Sequence, residues 1–238
     1  MGEKSVVRNL FGLNFNITNC FGGTLVAIAV FALVYYLAKK VTLKPNKRQN
    51  VLEYLIDFTN GIVKDNVEDK DAQKHLSLYA FTLFMFVFFM NQLGLFFEFS
   101  INDHILVKSP TANPLITMTM AMMTLLLSYN FGIKRFGAKG YFGNYAKPVG
   151  FLLPINIIEE FTNFLTLSLR LYGNIYAGEV LLTLIGGRFA KSAGWFTIIA
   201  SVPLTLIWQG FSVFIGSIQA YVFVTLSMVY IGKKVTEE

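Results

Sequence analysis

Apolar residues run along this chain in blocks too long for a water-facing fold. Uncharged blocks cover residues 21–38, 76–97 and 114–131, the second of them rich in Phe and Met. Each is close to the ~20 residues that a helix needs to cross the hydrocarbon core of a bilayer. Beyond residue 150 the blocks lengthen. Residues 151–185 are apolar apart from Glu159, Glu160, Arg170 and Glu179, and residues 192–232 carry no charge at all. As one helix the latter run would be about 60 Å long, roughly twice the thickness of a bilayer core. No polar loop divides it, so the pattern predicts one long helix over 195–231, bent near its start, with Pro203 and Gly210 as the places for a bend. Between the first two blocks, Leu52, Leu55, Ile56, Thr59 and Val63 recur at helical spacing, with Glu53, Asp57 and Lys64 off that face. That is the pattern of an amphipathic helix at a membrane surface, although a solvated loop helix would show it too.

The expected architecture is therefore an all-α polytopic membrane protein. It has a single membrane domain over 1–238 and five crossings, at about 21–38, 76–97, 114–131, 151–185 and 195–231. The last two form a long tilted helical hairpin, and an amphipathic surface helix is added to them. The first block is not followed by a small-residue cleavage site, and Lys39 and Lys40 flank its end, so it reads as a retained helix and not as a signal peptide. Loop charges orient the chain. Lys39, Lys40, Lys44, Lys47 and Arg48 follow the first span, Lys134, Arg135, Lys139 and Lys147 follow the third, and Lys233 and Lys234 follow the last. The alternate loops carry only Lys108, and Arg188 with Lys191. An excess of positive charge marks the cytoplasmic side, which puts the N-terminus outside and the C-terminus in the cytoplasm of a cell membrane.

Composition narrows the function. Hydrophobic residues make up 54% and charged residues 14%, against about 25% charged in soluble domains. A soluble enzyme, a disordered tail and a nucleic-acid-binding domain are all excluded, and the net charge of +6 belongs to the cytoplasmic loops. The lone Cys20 cannot form an intrachain disulfide. His75 and His104 stand in no HxxxH or HExxH pattern, so neither a metal site nor a cofactor is expected. No GxxxxGK[ST] loop is present, so nucleotide chemistry is not expected of this chain.

Ionisable residues inside a spanning segment are costly and are functional candidates by default. Arg170 sits in the middle of its segment and is a fixed positive charge. It cannot relay a proton, but it can hold a nearby carboxylate ionised and repel a passing cation. The bland reading, a buried salt bridge or snorkelling to the interface, fits a mid-helix Arg poorly. At 100° per residue, Glu159, Asn163, Thr166 and Asn174 share the Arg170 face, and Glu179 lies on the opposite side about 14 Å along. Arg170 and Glu179 are thus expected to face different environments. Glu159 and Glu160 would equally serve as anchors near a helix start, where the macrodipole favours anions. Ser168, Gly173, Ala177 and Gly178 are small enough for another helix to approach closely. On the last helix Ser212, Gly216 and Gln219 share one face, and Gln219 is expected to hydrogen-bond between helices.

The run Ser168-Leu169-Arg170-Leu171-Tyr172-Gly173-Asn174-Ile175-Tyr176-Ala177-Gly178-Glu179 resembles the signature of subunit a of F-type ATP synthases. The stretches Trp208-Gln209-Gly210-Phe211 and Gln219-Ala220-Tyr221-Val222-Phe223, and Ser109-Pro110-Thr111-Ala112 before the third span, resemble that family too. The resemblance covers nearly the whole chain. It implies a stator channel that carries protons, or Na⁺, through two half-channels to and from the carboxylates of a rotating c-subunit ring. The peripheral stalk of b subunits and the remaining ATP synthase subunits complete the complex, which points to a bacterial cell membrane. By that resemblance Arg170 is the essential Arg, Glu179 the channel Glu, Asn174 a channel-lining Asn and Gln219 the Gln beside the Arg. Some relatives have His at the position of Ser212, which would here act with water. The Asp usual after the Thr-Ala pair is Asn113, which removes a titratable group.

Rival functions fit less well. A glutamate-type intramembrane protease would need an Arg where Phe164 stands, and no HExxH or GxSxG motif occurs. A secondary transporter would show inverted repeats, and a purely structural scaffold would leave Arg170 unexplained.

Overall fold

The computed structural model describes the backbone of residues 4–5, 7–10, 13–39, 42, 44–96, 99–101, 104–107, 109–144, 153–189 and 195–236. Among the described residues six α-helices carry the fold: α1 (Ile17–Ala38), α2 (Lys47–Asn66), α3 (Lys70–Phe96), α4 (Pro114–Asn144), α5 (Leu153–Thr183) and α6 (Trp195–Thr236). Four apolar stretches on them are long enough to cross a membrane: Ile17–Ala38, Lys70–Gly94, Pro114–Gly137 and Ser201–Val235. At 31 residues α5 has the length as well, and its four charged side chains set it apart from these. The all-α polytopic membrane class is what the apolar blocks predict.

The blocks mark the helices, and the polar residues beside them extend them. α3 begins six residues before the apolar run, from Lys70. α4 continues through Lys134 and Arg135, a segment expected to be loop, and breaks only at Gly137, whose φ of 71° is a conformation that glycine adopts without strain. Arg is a good helix former, and here the Arg135 guanidinium meets the Asp69 carboxylate at 2.8 Å. α6 is continuous through Pro203 for 42 residues, about 63 Å at 1.5 Å per residue. α5 ends in a π-helical turn, Leu184–Phe189. The amphipathic helix is α2, and it buries Leu52, Thr59, Ile62 and Val63 along one seam. Short strands, which the apolar pattern does not show, pair Val7–Leu10 with Leu13–Asn16, and His104–Val107 with both Lys4–Ser5 and Phe99–Ile101. The predicted loop charges Lys40, Lys108, Lys147 and Lys191 lie outside the described residues.

The chain divides into two compact units. The first comprises Met1–Phe31, Phe86–Pro114 and Leu171–Ala220. Within it the chain turns sharply after α3, where Gly94 lies so close to Ser109 that a Cβ would overlap the serine side chain. Ser109 Oγ donates to the Met90 carbonyl at 3.0 Å and closes that turn.

The second unit comprises Ala32–Met85, Leu115–Arg170 and Tyr221–Glu238. Phe58 of α2 packs against Phe84 of α3 and Tyr221 of α6, with ring centroids 5.5 and 5.7 Å apart. Tyr79 and Thr124 share a hydroxyl–hydroxyl bond of 3.0 Å between α3 and α4. Gly232 brings α6 onto the end of α2, where a Cβ would fall on the Asn66 carbonyl oxygen. Glu160 accepts from Lys234 at 2.9 Å and from the Tyr129 hydroxyl at 3.0 Å, which joins α4, α5 and α6.

Candidate functional site

Leu167, Leu171 and Ile175 recur every four residues on α5 and are buried, as is Gly178 one turn further on. That stripe fixes which way the polar residues face. Asn174 stands next to the stripe, and its amide nitrogen donates to the Gln219 side-chain oxygen of α6 at 2.8 Å. One turn later Gly178 has no side chain, so α6 comes close. Its carbonyl accepts from the Trp208 indole nitrogen at 3.3 Å, and a Cβ there would sit 3.7 Å from Ser212 Oγ. The order of these contacts, Asn174 with Gln219 and Gly178 with Ser212 and Trp208, makes the two helices antiparallel within the first unit.

Between these contacts a cavity of about 110 Å³ is lined by Asn174, Ala177, Gly178, Trp208 and Ser212, with Ile175 and Ile215 as its apolar wall. Ser212 is 8% exposed and Gln219 4%. Among the described residues, Ser212 Oγ and Gln219 Nε2 have no hydrogen-bond partner. Burying a polar group without a partner costs about 1–3 kcal/mol, and a cavity of this size has room for water beside Ser212 Oγ and the Asn174 amide to supply one. The face predicted for Ser212, Gly216 and Gln219 is observed, since all three are buried. Glu179, next to Gly178, is buried as well, at 9% exposure.

Asn91 and Gln92 of α3 reach the same helix and were not singled out by the sequence pattern. Asn91 donates to the Gly216 carbonyl at 3.0 Å and accepts from Thr111 at 3.0 Å. Gln92 Nε2 donates to the Val213 carbonyl and to Ser217 Oγ, each at 3.2 Å. Gln92 Oε1, also buried, has no partner among the described residues. The one available signal was two consecutive amides in an otherwise apolar span.

Arg170 belongs to the second unit and is exposed. Among the described residues it makes no hydrogen bond or ion pair. Glu159 and Thr166 are exposed and Asn163 is half-buried on the same side of α5. The contrast between an open Arg170 and a buried Glu179 agrees with the expectation that they face different surroundings. Of the four small residues, Ser168 and Gly178 are packed, whereas Gly173 and Ala177 are exposed. Glu159 lies 4.0 Å from Lys233 on the surface. Among the described residues no cluster of His, Cys, Asp and Glu could hold a metal ion.

Residues 21–232 match the family model described as ATP synthase A chain. The chain is 52% identical over its full length to the whole "ATP synthase subunit a" of Limosilactobacillus fermentum. It is 50% identical to the protein of the same name from Enterococcus faecalis and 43% to that from Listeria monocytogenes, again with both chains fully covered. With the membrane helices and the Arg170–Glu179 segment described above, these matches place the chain in the ATP synthase subunit a family, as a bacterial membrane component of that complex with a part in ATP synthesis and proton transport.

Proposed function

We propose that this chain is the stator ion channel of a rotary ATP synthase. In this reading it passes protons through two half-channels to and from the carboxylates of a c-subunit ring. The observation that carries it is the cavity between α5 and α6, lined by Ser212, whose buried Oγ has no partner among the described residues, and by Asn174, which bonds the equally buried Gln219. Such atoms call for water, and a file of water is what a proton needs to move through a membrane protein.

The roles follow from the chemistry of each group. Glu179 takes up and gives back protons, and Ser212, Asn174 and Gln219 hold the water that connects it. Arg170 never deprotonates, so it works as a gate and not as a relay. It stands on an open stripe of α5 with Gly173 and Ala177. A bare guanidinium against lipid costs roughly 2.5–3.5 kcal/mol on insertion scales. A ring carboxylate passing the small side chains would relieve that cost and be held ionised by the Arg. Bound cations would be repelled, which keeps the two half-channels from short-circuiting. Glu159, on the same face of α5 as Arg170, is a further candidate on the proton path. Each proton falling through 100 mV supplies about 2.3 kcal/mol, which in this reading drives nucleotide chemistry in the catalytic head and not in this chain.

The same reading makes residues 1–238 one membrane domain with five crossings, α5 among them, the N-terminus outside and the C-terminus cytoplasmic. The b-subunit stalk holds it against the ring. ATP-driven proton uptake in inverted membrane vesicles tests the role of Arg170. Arg170→Ala should abolish pumping while the complex still assembles and the detached head still hydrolyses ATP. Unchanged pumping would overturn it.

A further inference from the structure

We propose that the pocket where α1 meets α2 binds the headgroup of an anionic phospholipid. The cavity measures about 530 Å³ and is lined by Tyr36, Lys39, Asn46, Lys47, Arg48 and Gln49. Three of these carry positive charge, and among the described residues no carboxylate lines it. The nearest acid along α2, Glu53, is engaged by Gln49 Nε2 at 2.7 Å.

The pocket is held open by specific bonds. Gln49 Oε1 accepts from the Thr42 backbone N–H at 3.0 Å, and its Nε2 donates to the Thr42 carbonyl at 3.0 Å. These two hydrogen bonds fasten Thr42 to the first turn of α2. Thr42 Oγ1 in turn donates to the Lys44 carbonyl at 2.7 Å. The Arg48 guanidinium lies 4.6 Å from the centre of the Tyr36 ring and ties the same turn to the end of α1. Asn46 caps α2 without a side-chain hydrogen bond, so the positive end of the helix dipole is added to the three side chains.

The surroundings select an amphiphile over a free anion. α1 leaves the bilayer at this point with Tyr35 and Tyr36 exposed, and α2 exposes Val51 and Tyr54 beside its basic first turn. A phosphodiester can sit among Lys39, Lys47 and Arg48 while its acyl chains lie along the apolar face of α1. Basic pockets beside spanning helices on the cytoplasmic side are where anionic headgroups bind. The inference uses no residue of the Arg170 or Ser212 site, and it rests on the proposed orientation, which puts this end of α1 at the cytoplasmic surface.

The test uses the assembled complex in phosphatidylcholine vesicles doped with a photoactivatable phosphatidylglycerol, with labelled peptides located by mass spectrometry. Labelling is expected on the segment 36–49. The Lys39→Gln, Lys47→Gln, Arg48→Gln triple variant should lower it by at least about tenfold. The charge-retaining Lys39→Arg, Lys47→Arg, Arg48→Lys variant should keep it. In the wild-type complex, unlabelled phosphatidylglycerol should compete, whereas phosphatidylcholine and excess inorganic phosphate should not. Equal labelling by a phosphatidylcholine probe would overturn the proposal, as would competition by phosphate, or a segment 36–49 found cross-linked to another subunit in place of lipid.

Discussion

The Asn174 amide donates to the Gln219 side-chain oxygen at 2.8 Å, and this one bond sets the register of α5 against α6. The same register puts Gly178 opposite Ser212 one turn further along α5. A Cβ at Gly178 would sit 3.7 Å from Ser212 Oγ, so the side chains of Gly178→Cys and Ser212→Cys would face each other across the two helices, the arrangement a disulfide requires. With Cys20 replaced by Ser, this pair should cross-link under mild oxidation, seen as a mobility shift in non-reducing gels. Gly173→Cys paired with Ser212→Cys should not. Cross-linking of the second pair in preference to the first would mean that the helices are out of register.

The cavity itself can be tested by size and by polarity. Ser212→Leu should fill much of its 110 Å³ and stop most passive proton flow through the membrane sector once the catalytic head is stripped off. Ser212→Ala removes one water ligand and leaves the space, so it should slow flow by about tenfold or less, in line with the loss of one buried hydrogen bond. Flow through Ser212→Leu equal to that of the unaltered chain would show that protons do not pass this way.

Much of this arrangement can be read from residue order alone, and the rest depends on partners far along the chain. Nine residues at 100° each place Arg170 and Glu179 on opposite sides of α5, and the one is exposed and the other buried. Ser212, Gly216 and Gln219 share a buried face for the same reason. The end of α4 was not legible, because Lys134 and Arg135 look like loop by charge, although both are good helix formers and the helix runs on to Gly137. Asn91 and Gln92 were missed because their partners are main-chain carbonyls of α6, which have no signature in sequence. Gly173 and Ala177 satisfy the small-residue pattern for helix packing, yet within this chain they are exposed. The pattern marks a face for close approach and does not say whether the neighbour is this chain or another.

Two glycines are held by backbone proximity. A Cβ at Gly94 would overlap Ser109, and one at Gly232 would fall on the Asn66 carbonyl. Gly94→Ala and Gly232→Ala should each destabilise the fold by about 1–3 kcal/mol, as overpacking does. Lower amounts of the chain in membranes and an earlier thermal loss from the purified complex would record it. Gly61, within α2, has open space around it, so Gly61→Ala should be neutral or stabilising by up to about 1 kcal/mol. Equal effects at all three positions would argue against the close approaches.

Two ion pairs between α5 and the end of α6 differ in burial, and their energies should differ with it. Lys234 and Glu160 are 2.9 Å apart with side chains 17% and 18% exposed, and Tyr129 donates to the other Glu160 oxygen. Lys233 and Glu159 are 4.0 Å apart and more than half exposed. Removing one partner of a largely buried, hydrogen-bonded pair strands the other charge, at a cost of about 2–3 kcal/mol. An exposed pair contributes about 0–1 kcal/mol and is screened by salt. Glu160→Gln and Lys234→Gln should therefore lower the thermal stability of the complex clearly, and Glu160→Lys combined with Lys234→Glu should recover part of the loss. Lys233→Gln should change stability little. A Lys233→Gln loss as large as that of Lys234→Gln would mean that burial does not separate the two pairs, and that α5 and α6 are held at this end by charge alone.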